Sequence, residues 1–152
     1  MNTIASFTVN HDKLEPGLYL SRVDGDIKTF DLRTVKPNTP PFMENSVIHT
    51  FEHLFATIAR NSDYSDKVIY FGPMGCRTGF YFLVRDMDNA TAISFIKEIV
   101  KQIAEWRDSI PGSTKIECGN YLEHDLDGAK ELANNYYNII TNWTSRDIHY
   151  AQ

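Results

Sequence analysis

The sequence predicts an α+β fold, a single domain over residues 1–152 in which helices pack on an antiparallel sheet. Strand-like runs occur in two pairs, each joined by a short connection that contains glycine, and this arrangement is typical of antiparallel pairing. Three other segments repeat apolar residues at helical spacing, which predicts helices with one face in the core. A chain of 152 residues is long enough to bury one hydrophobic core without disulfides.

The first predicted elements are the two strands of GLYLSRVDGDIKTFDLR. They flank Asp24-Gly25, a dipeptide suited to the positive φ angles of a tight hairpin turn. The proline-rich segment KPNTPPFMENS then interrupts regular structure. We expect Asn45 or Ser46 to cap the helix that follows, and the pattern extends this helix to about Asn61.

The second strand pair is predicted in DKVIYFGPMGCRTGFYFLVRD, whose pattern indicates a strand, a glycine-rich connection and another strand. An amphipathic helix follows in NATAISFIKEIVKQIAEWRDS, and Pro111-Gly112 is expected to end it. The segment STKIECGNYLEHD is irregular or briefly extended, and LDGAKELANNYYNIITNW is the last predicted helix. We find no repeat and no second core, so all these elements are expected in one domain.

Composition and charge argue against several kinds of partner. The formal net charge is -5 and the basic residues are scattered singly, whereas nucleic-acid binding needs clustered Lys and Arg. No apolar stretch is long enough to cross a bilayer and the N-terminus lacks a secretory pattern, so we expect a cytoplasmic protein with no membrane partner. In that reducing compartment Cys76 and Cys118 are expected to be thiols, available for chemistry or metal binding.

The segment HTFEH carries two histidines one helical turn apart. On a helical wheel His53 and Arg60 lie within about 40° of His49, and Glu52 lies about 60° to its other side. The apolar stripe of the same helix lies opposite and consists of Val47, Phe51, Leu54 and Ile58. Both imidazoles therefore lie outside the core-facing stripe, where they can reach one metal ion. The alternative is a polar helix face exposed to solvent.

The order of these residues, His-x-x-Glu-His, is the inverse of the zincin motif and is known from inverted-zincin metallopeptidases. A catalytic metal site needs a third protein ligand and one position left for water or substrate. Cys118 is the preferred third ligand, because a thiolate beside two imidazoles suits zinc, ferrous iron or cobalt better than Glu117 or Glu123 does. His124, which follows Cys118 in ECGNYLEHDLDGAKE, competes with it for that position.

Cys76 lies among three glycines and a proline in GPMGCRTGF. Glycine permits backbone conformations closed to other residues and lets a ligand approach closely. We interpret the segment either as the exposed site of a reactive thiol or as a tight turn with an incidental cysteine.

Together these segments resemble the S-ribosylhomocysteine lyase (LuxS) family, which makes the precursor of autoinducer-2. Five separate blocks occur in the family's order and at close to its spacings over nearly the whole chain. The blocks are SFTVNH, FDLR, HTFEHL, PMGCRTGF and ECGNYLEHDLDGAK. Five separated blocks in register are far more specific than one short motif.

The resemblance implies roles for particular residues, a cofactor and a partner. The metal ligands of the family fall on His49, His53 and Cys118. Its catalytic pair falls on Glu52 and Cys76. Its substrate contacts fall on Ser6, His11, Arg33 and Arg60. The familiar metal is Fe²⁺, one ion per subunit, which Zn²⁺ or Co²⁺ can replace. The family forms homodimers in which both chains build each active site.

One position departs from the family. Many members carry an acidic residue six positions before the catalytic cysteine, where this chain has Tyr70. The departure does not touch the metal ligands or the catalytic pair. It leaves open what part Tyr70 plays in substrate binding.

The reaction that the resemblance implies opens the ribose ring of S-ribosylhomocysteine and moves its carbonyl from C1 to C2 and then to C3. Homocysteine is then lost from C5 by β-elimination, which leaves 4,5-dihydroxy-2,3-pentanedione. Each isomerisation removes a proton next to a carbonyl, and a divalent metal stabilises the resulting enediolate as a Lewis acid. We expect Cys76, as a thiolate favoured by Arg77 or the metal, to handle the proton at C2. Glu52 is expected to handle the later enolisation and the elimination.

Two other functions remain open from the residues alone. An inverted-zincin-like metallopeptidase explains His-x-x-Glu-His but gives the reactive cysteine no role. A non-catalytic metal-binding domain would use Cys118 and His124 together with the two helix histidines as a closed site of four ligands. The residues also leave open whether the product serves quorum sensing or the reaction disposes of an intermediate of the activated methyl cycle.

Overall fold

A computed structural model describes residues 1–151 and confirms the predicted α+β class. The four strands are β1 (Gly17–Asp24), β2 (Ile27–Arg33), β3 (Val68–Pro73) and β4 (Gly79–Arg85). The three α-helices are α1 (Asn45–Arg60), α2 (Asn89–Ala104) and α3 (Leu126–Ile140). Two short 3-10 helices, Ala5–Phe7 and Ser65–Lys67, are the other helical segments among the described residues.

The four strands form one antiparallel sheet in the order β1-β2-β4-β3. In β4, Phe80, Phe82 and Val84 are buried, whereas Tyr81 and Leu83 between them are partly exposed. Successive side chains of a strand point to opposite faces of the sheet. One face of the sheet therefore lies in the core under the helices, and the other face, with Tyr81 and Leu83, points away from them.

Two glycines determine how neighbouring strands meet. The turn between β1 and β2 consists of Gly25 and Asp26, one residue later than the predicted Asp24-Gly25, because strand pairing extends through Asp24. Within this turn Gly25 has a φ of 63°, which glycine adopts without steric cost. At Gly79 an added Cβ would lie 2.6 Å from the backbone oxygen of Leu32, so glycine allows β2 and β4 to approach there.

The core lies between the sheet and the three helices. The ring of Phe55 in α1 stacks on that of Phe71 in β3, with centroids 3.8 Å apart and planes inclined by 7°. Each large apolar side chain buried in this way stabilises the fold by roughly 1.5–3 kcal/mol. The buried face of α1 also includes Phe51, Leu54 and Ile58. This packing confirms most of the predicted apolar stripe and turns the histidines of α1 outward.

The helix boundaries differ in part from those predicted. Asp88 caps α2, because its carboxylate accepts a hydrogen bond of 2.7 Å from the backbone N–H of Thr91. At α1 the N-cap is Glu44, which makes no such side-chain bond. The predicted cap at Asn45 or Ser46 is wrong because both residues already lie inside the helix. No helix among residues 1–151 combines the length and the apolar character needed to cross a membrane.

Candidate metal centre and active site

A long irregular connection provides half of the candidate metal centre. α2 ends at Ala104 rather than at the predicted Pro111-Gly112, so residues 105–125 lead to α3 without a helix or strand of their own. Backbone oxygens of this connection accept hydrogen bonds from histidines of α1. These bonds hold the connection against the outward side of α1.

Four side chains converge where this connection meets α1: His49, His53, Cys118 and His124. Each is half-buried and offers one ligand atom, and these atoms all lie within 4.8 Å of one another. The Sγ of Cys118 lies 3.4 Å from Nε2 of His49 and 3.9 Å from Nε2 of His124. A tetrahedral ion with bonds of about 2.0–2.3 Å separates its ligands by roughly 3.3–3.8 Å, close to these spacings. The structure thus brings together the three predicted ligands and the predicted competitor, His124.

The histidines of α1 direct Nε2 toward this centre because Nδ1 is bonded elsewhere. Nδ1 of His49 lies 2.8 Å from the backbone oxygen of Glu123, and Nδ1 of His53 lies 2.9 Å from that of Pro111. A carbonyl oxygen only accepts, so each Nδ1 donates its proton and each Nε2 keeps the lone pair that binds a metal. Outer hydrogen bonds of this kind orient metal-ligating histidines. Imidazole nitrogens with one thiolate therefore fit a divalent transition-metal ion.

His124 is anchored in a different way. Its Nδ1 lies 2.9 Å from Oγ1 of Thr50, a hydroxyl that also accepts a 2.9 Å bond from the backbone N–H of Asp125. Because a hydroxyl both donates and accepts, this contact permits either tautomer of His124. Burial, and then the nearby His49 and His53, lower the pKa of His124, which favours the neutral imidazole that metal binding requires.

Glu52 and Arg60 line a cavity beside the metal centre. The cavity has a volume of about 410 Å³, and His53 and Tyr70 also line it. Arg60 is exposed and donates a 3.1 Å hydrogen bond to the backbone oxygen of Ile69. One cavity therefore contains a predicted metal ligand, the predicted acid/base carboxylate and one predicted substrate contact.

Cys76 lies in a second cavity, of about 400 Å³. Ser6, His11 and Arg33 line the same cavity, so it collects the other three predicted substrate contacts. The thiol is exposed, and its Sγ lies 3.0 Å from the hydroxyl of Thr78. Cys76 is therefore accessible and is held at a defined position by a neighbouring polar group.

The guanidinium of Arg33 is the cation beside Cys76. Its Nη1 lies 3.9 Å from the Sγ of Cys76 and donates a 2.8 Å hydrogen bond to Oγ1 of Thr78. Arg77, the neighbour in sequence, instead directs its Nη1 to the backbone oxygen of Met43 at 3.5 Å. A cation near a sulfur stabilises negative charge on it, so Arg33 takes the place that sequence reasoning gave to Arg77 or the metal.

Arg33 is itself held by Asp31 in a buried ion pair. The side chains of Arg33 and Asp31 are 3% and 1% exposed, and the guanidinium donates to both carboxylate oxygens at 3.2 and 2.7 Å. Burial lowers the pKa of Arg33, but the charge and hydrogen bonds of Asp31 outweigh it and raise the pKa above its ordinary value. Sequence reasoning missed Asp31, although residues two apart on a strand share one face.

The structure separates the predicted catalytic pair. Glu52 and Cys76 line different cavities of the same chain. A third cavity of about 450 Å³ shares Tyr70 with the first and Ser6 and Tyr81 with the second. One chain therefore presents two partial sites, one with Glu52 and the predicted metal ligand His53 and the other with the thiol.

The fold and the four-residue centre define a class of small α+β proteins with a candidate histidine–cysteine metal site built from one helix and an irregular connection. The profile of the S-ribosylhomocysteinase (LuxS) family matches residues 4–147. An S-ribosylhomocysteine lyase of Clostridium beijerinckii is 46% identical over 157 residues, which covers 99% of both chains. Those of Finegoldia magna and Borreliella burgdorferi strain ZS7 are 45% and 41% identical, covering 100% and 99% of both chains. This chain belongs to the S-ribosylhomocysteinase (LuxS) family, which confirms the resemblance found in its sequence.

Proposed function

We propose that this chain is a metal-dependent carbon–sulfur lyase that cleaves S-ribosylhomocysteine to homocysteine and 4,5-dihydroxy-2,3-pentanedione, the precursor of autoinducer-2. The observation that carries the proposal is the cluster of His49, His53, Cys118 and His124 in a chain that matches relatives of this name over their whole length. A metallopeptidase and a non-catalytic metal-binding domain are not favoured, because neither gives Cys76 and its polar surroundings a role.

His49, His53 and Cys118 would hold the metal. Two imidazoles and one thiolate favour a divalent transition metal over magnesium or calcium, and we propose Fe²⁺, one ion per subunit, with Zn²⁺ or Co²⁺ as replacements. When bound, the ion supplies a Lewis acid that stabilises negative charge on a substrate oxygen.

Glu52 and Cys76 are proposed to transfer the protons. Cys76 moves the proton at C2 in the first isomerisation, while Thr78 and Arg33 hold its sulfur in position. Glu52 precedes His53 on α1 and lines the same cavity, which suits a base for the later steps. In the elimination Glu52 removes the proton at C4, a C4–C5 double bond forms, and the C5–S bond breaks to release homocysteine as a thiolate. The thiolate then takes up a proton, and the enol left behind becomes the dione as C5 gains a proton and the C4 hydroxyl loses one.

Four residues are proposed to contact the substrate. Ser6, His11 and Arg33 line the cavity of Cys76 and would hold the amino-acid part of homocysteine. Two donors of Arg33 already bind Asp31, so it would contact the substrate through Nη1, the atom directed at Cys76. Arg60 lines the cavity of Glu52 and would hold a polar end of the substrate.

We propose that the chain forms a homodimer in which each active site combines the Glu52 cavity of one protomer with the Cys76 cavity of its partner. The separation of the two cavities within one chain supports this arrangement. Exposed apolar side chains that line the cavities support it as well: Phe7 and Tyr70 are 73% and 54% exposed. Large exposed apolar side chains grouped together mark protein–protein contacts.

A cytoplasmic location is proposed from the chemistry of the cysteines. Cys118 binds metal and Cys76 transfers protons only as reduced sulfur, and the cytoplasm keeps thiols reduced.

The test is release of homocysteine from S-ribosylhomocysteine by metal-loaded protein, measured with a thiol reagent. We expect release by the wild type and release lower by at least about 10²-fold by Cys76→Ala. A folded, metal-loaded wild type that releases no homocysteine would contradict the proposal.

A further inference from the structure

The C-terminal segment after α3 returns to the sheet, where Tyr150 contacts Asp31. The backbone N–H of Leu20 in β1 donates a 2.8 Å hydrogen bond to the oxygen of Ile148, whose side chain is fully buried. This anchor brings Tyr150 over β2, where its hydroxyl donates to Oδ2 of Asp31 at 2.6 Å. The ring of Tyr150 stacks on Tyr19, with centroids 4.9 Å apart and planes inclined by 16°.

A series of short contacts joins Tyr150 to Cys76. The Oδ2 of Asp31 that accepts from Tyr150 also accepts a 2.7 Å bond from Nη2 of Arg33. Nη1 of that guanidinium lies 2.8 Å from Oγ1 of Thr78 and 3.9 Å from the Sγ of Cys76. The intermediate side chains are 1–3% exposed, so water screens the charges between the two ends only weakly.

The hydroxyl of Tyr150 takes part of the negative charge of Asp31. Burial, and then the charge of Asp31, raise the pKa of Tyr150 far above its ordinary value, so the phenol keeps its proton and donates it. A carboxylate oxygen that also accepts a hydrogen bond from a second strong donor offsets less of the positive charge of its guanidinium partner. More of the positive charge of Arg33 then acts on the sulfur of Cys76.

We propose that Tyr150 is a positioning residue, which acts through Asp31 and Arg33 to favour the thiolate of Cys76. The proposal rests on the proton-transfer role proposed for Cys76 and adds to it a contribution from the C-terminal segment. Within one chain, the other titratable groups around the sulfur are Arg77, beside it in sequence, and His11 and Tyr81, which line its cavity; in the proposed dimer, Glu52 of the partner subunit faces it as well. They are the same in wild type and in a Tyr150 variant, so the comparison isolates the path through Asp31.

The experiment compares Tyr150→Phe with Tyr19→Phe in the full-length, metal-loaded protein. Phe keeps the stacked ring and removes the hydroxyl. Tyr19 is the matched control, because its hydroxyl donates at 2.9 Å to the backbone oxygen of Glu15, and its ring belongs to the same stack. The readout is the rate at which iodoacetamide alkylates Cys76 across a range of pH, followed by mass spectrometry of the peptide that contains it.

We expect Tyr150→Phe to slow alkylation near neutral pH by roughly three- to ten-fold, less than the full effect of one charge-assisted hydrogen bond, because the change reaches the sulfur only through Asp31 and Arg33. The pH of half-maximal rate should rise, and kcat for homocysteine release should fall by a similar factor with KM unchanged. Tyr19→Phe should match the wild type in both assays. Coincident alkylation profiles for folded Tyr150→Phe and wild type would overturn the proposal. Alkylation reads the sulfur directly, so a wild type without lyase activity would refute the proposed function separately.

Discussion

Replacement of Asp31 by Asn is expected to destabilise the fold by leaving a buried charge without a partner. The guanidinium of Arg33 is 3% exposed, and both of its bonds to Asp31 are to charged oxygens. Asn fills nearly the same volume but is neutral, so the charge of Arg33 stays in the interior uncompensated. Removal of one partner of a buried ion pair costs about 3–5 kcal/mol. We therefore expect Asp31→Asn to lower the free energy of unfolding by that amount.

Urea unfolding followed by tryptophan fluorescence measures the effect. The matched control is Asp24→Asn, because the side chains of Asp24 and its partner Arg22 are 47% and 62% exposed, and exposed pairs contribute little. A double variant, Asp31→Asn with Arg33→Gln, should lose less stability than the two single variants together, since it removes the buried charge. A loss below about 1 kcal/mol for Asp31→Asn, or equal losses for Asp31→Asn and Asp24→Asn, would refute the reasoning.

Three further predictions concern the partial sites and the fold. Glu52→Gln and Cys76→Ala should each lower homocysteine release by roughly 10²–10⁴-fold. Both variants should keep their metal, which elemental analysis measures. Loss of the ion from either variant would contradict the assignment of these residues as proton-transfer groups. Gly79→Ala puts a Cβ 2.6 Å from a backbone oxygen of β2, so the free energy of unfolding should fall by about 1–3 kcal/mol; an unchanged urea midpoint would contradict this. The bond from Thr91 lowers the pKa of Asp88. The contribution of this bond to the free energy of unfolding is therefore present above pH 3.8 and disappears as the pH falls through the lowered pKa. Asp88→Ala should therefore be less stable than wild type at pH 7 and equally stable in acid, as thermal unfolding at both pH values would measure.

The strands and helices could be predicted because local patterns specify them. The alternation of Phe80, Phe82 and Val84 and the apolar spacing of α1 each depend only on neighbouring residues. Boundaries were less predictable. Asn45 and Ser46 are good capping residues, but the chain enters the helix one residue earlier, at Glu44, where no side chain caps it.

The site was predictable where family motifs specify it and not where distant segments meet. His49, His53 and Cys118 lie in recognisable blocks, and the structure brings them together. The contact of Tyr150 with Asp31 joins residues 119 positions apart, and no local pattern indicates that pairing. The same limit applies to the two cavities. Sequence spacing does not show whether Glu52 and Cys76 line the same cavity of one chain.

The most direct test of the account is complementation between two inactive variants, with homocysteine release as the readout. Cys76→Ala and Glu52→Gln are dissociated, mixed in equal amounts and allowed to reassociate. If each active site combines Glu52 of one chain with Cys76 of its partner, every mixed dimer has one intact site. Random mixing then restores about one quarter of wild-type activity, because half of the dimers are mixed. A mixture as inactive as each variant alone would contradict a site shared between two chains.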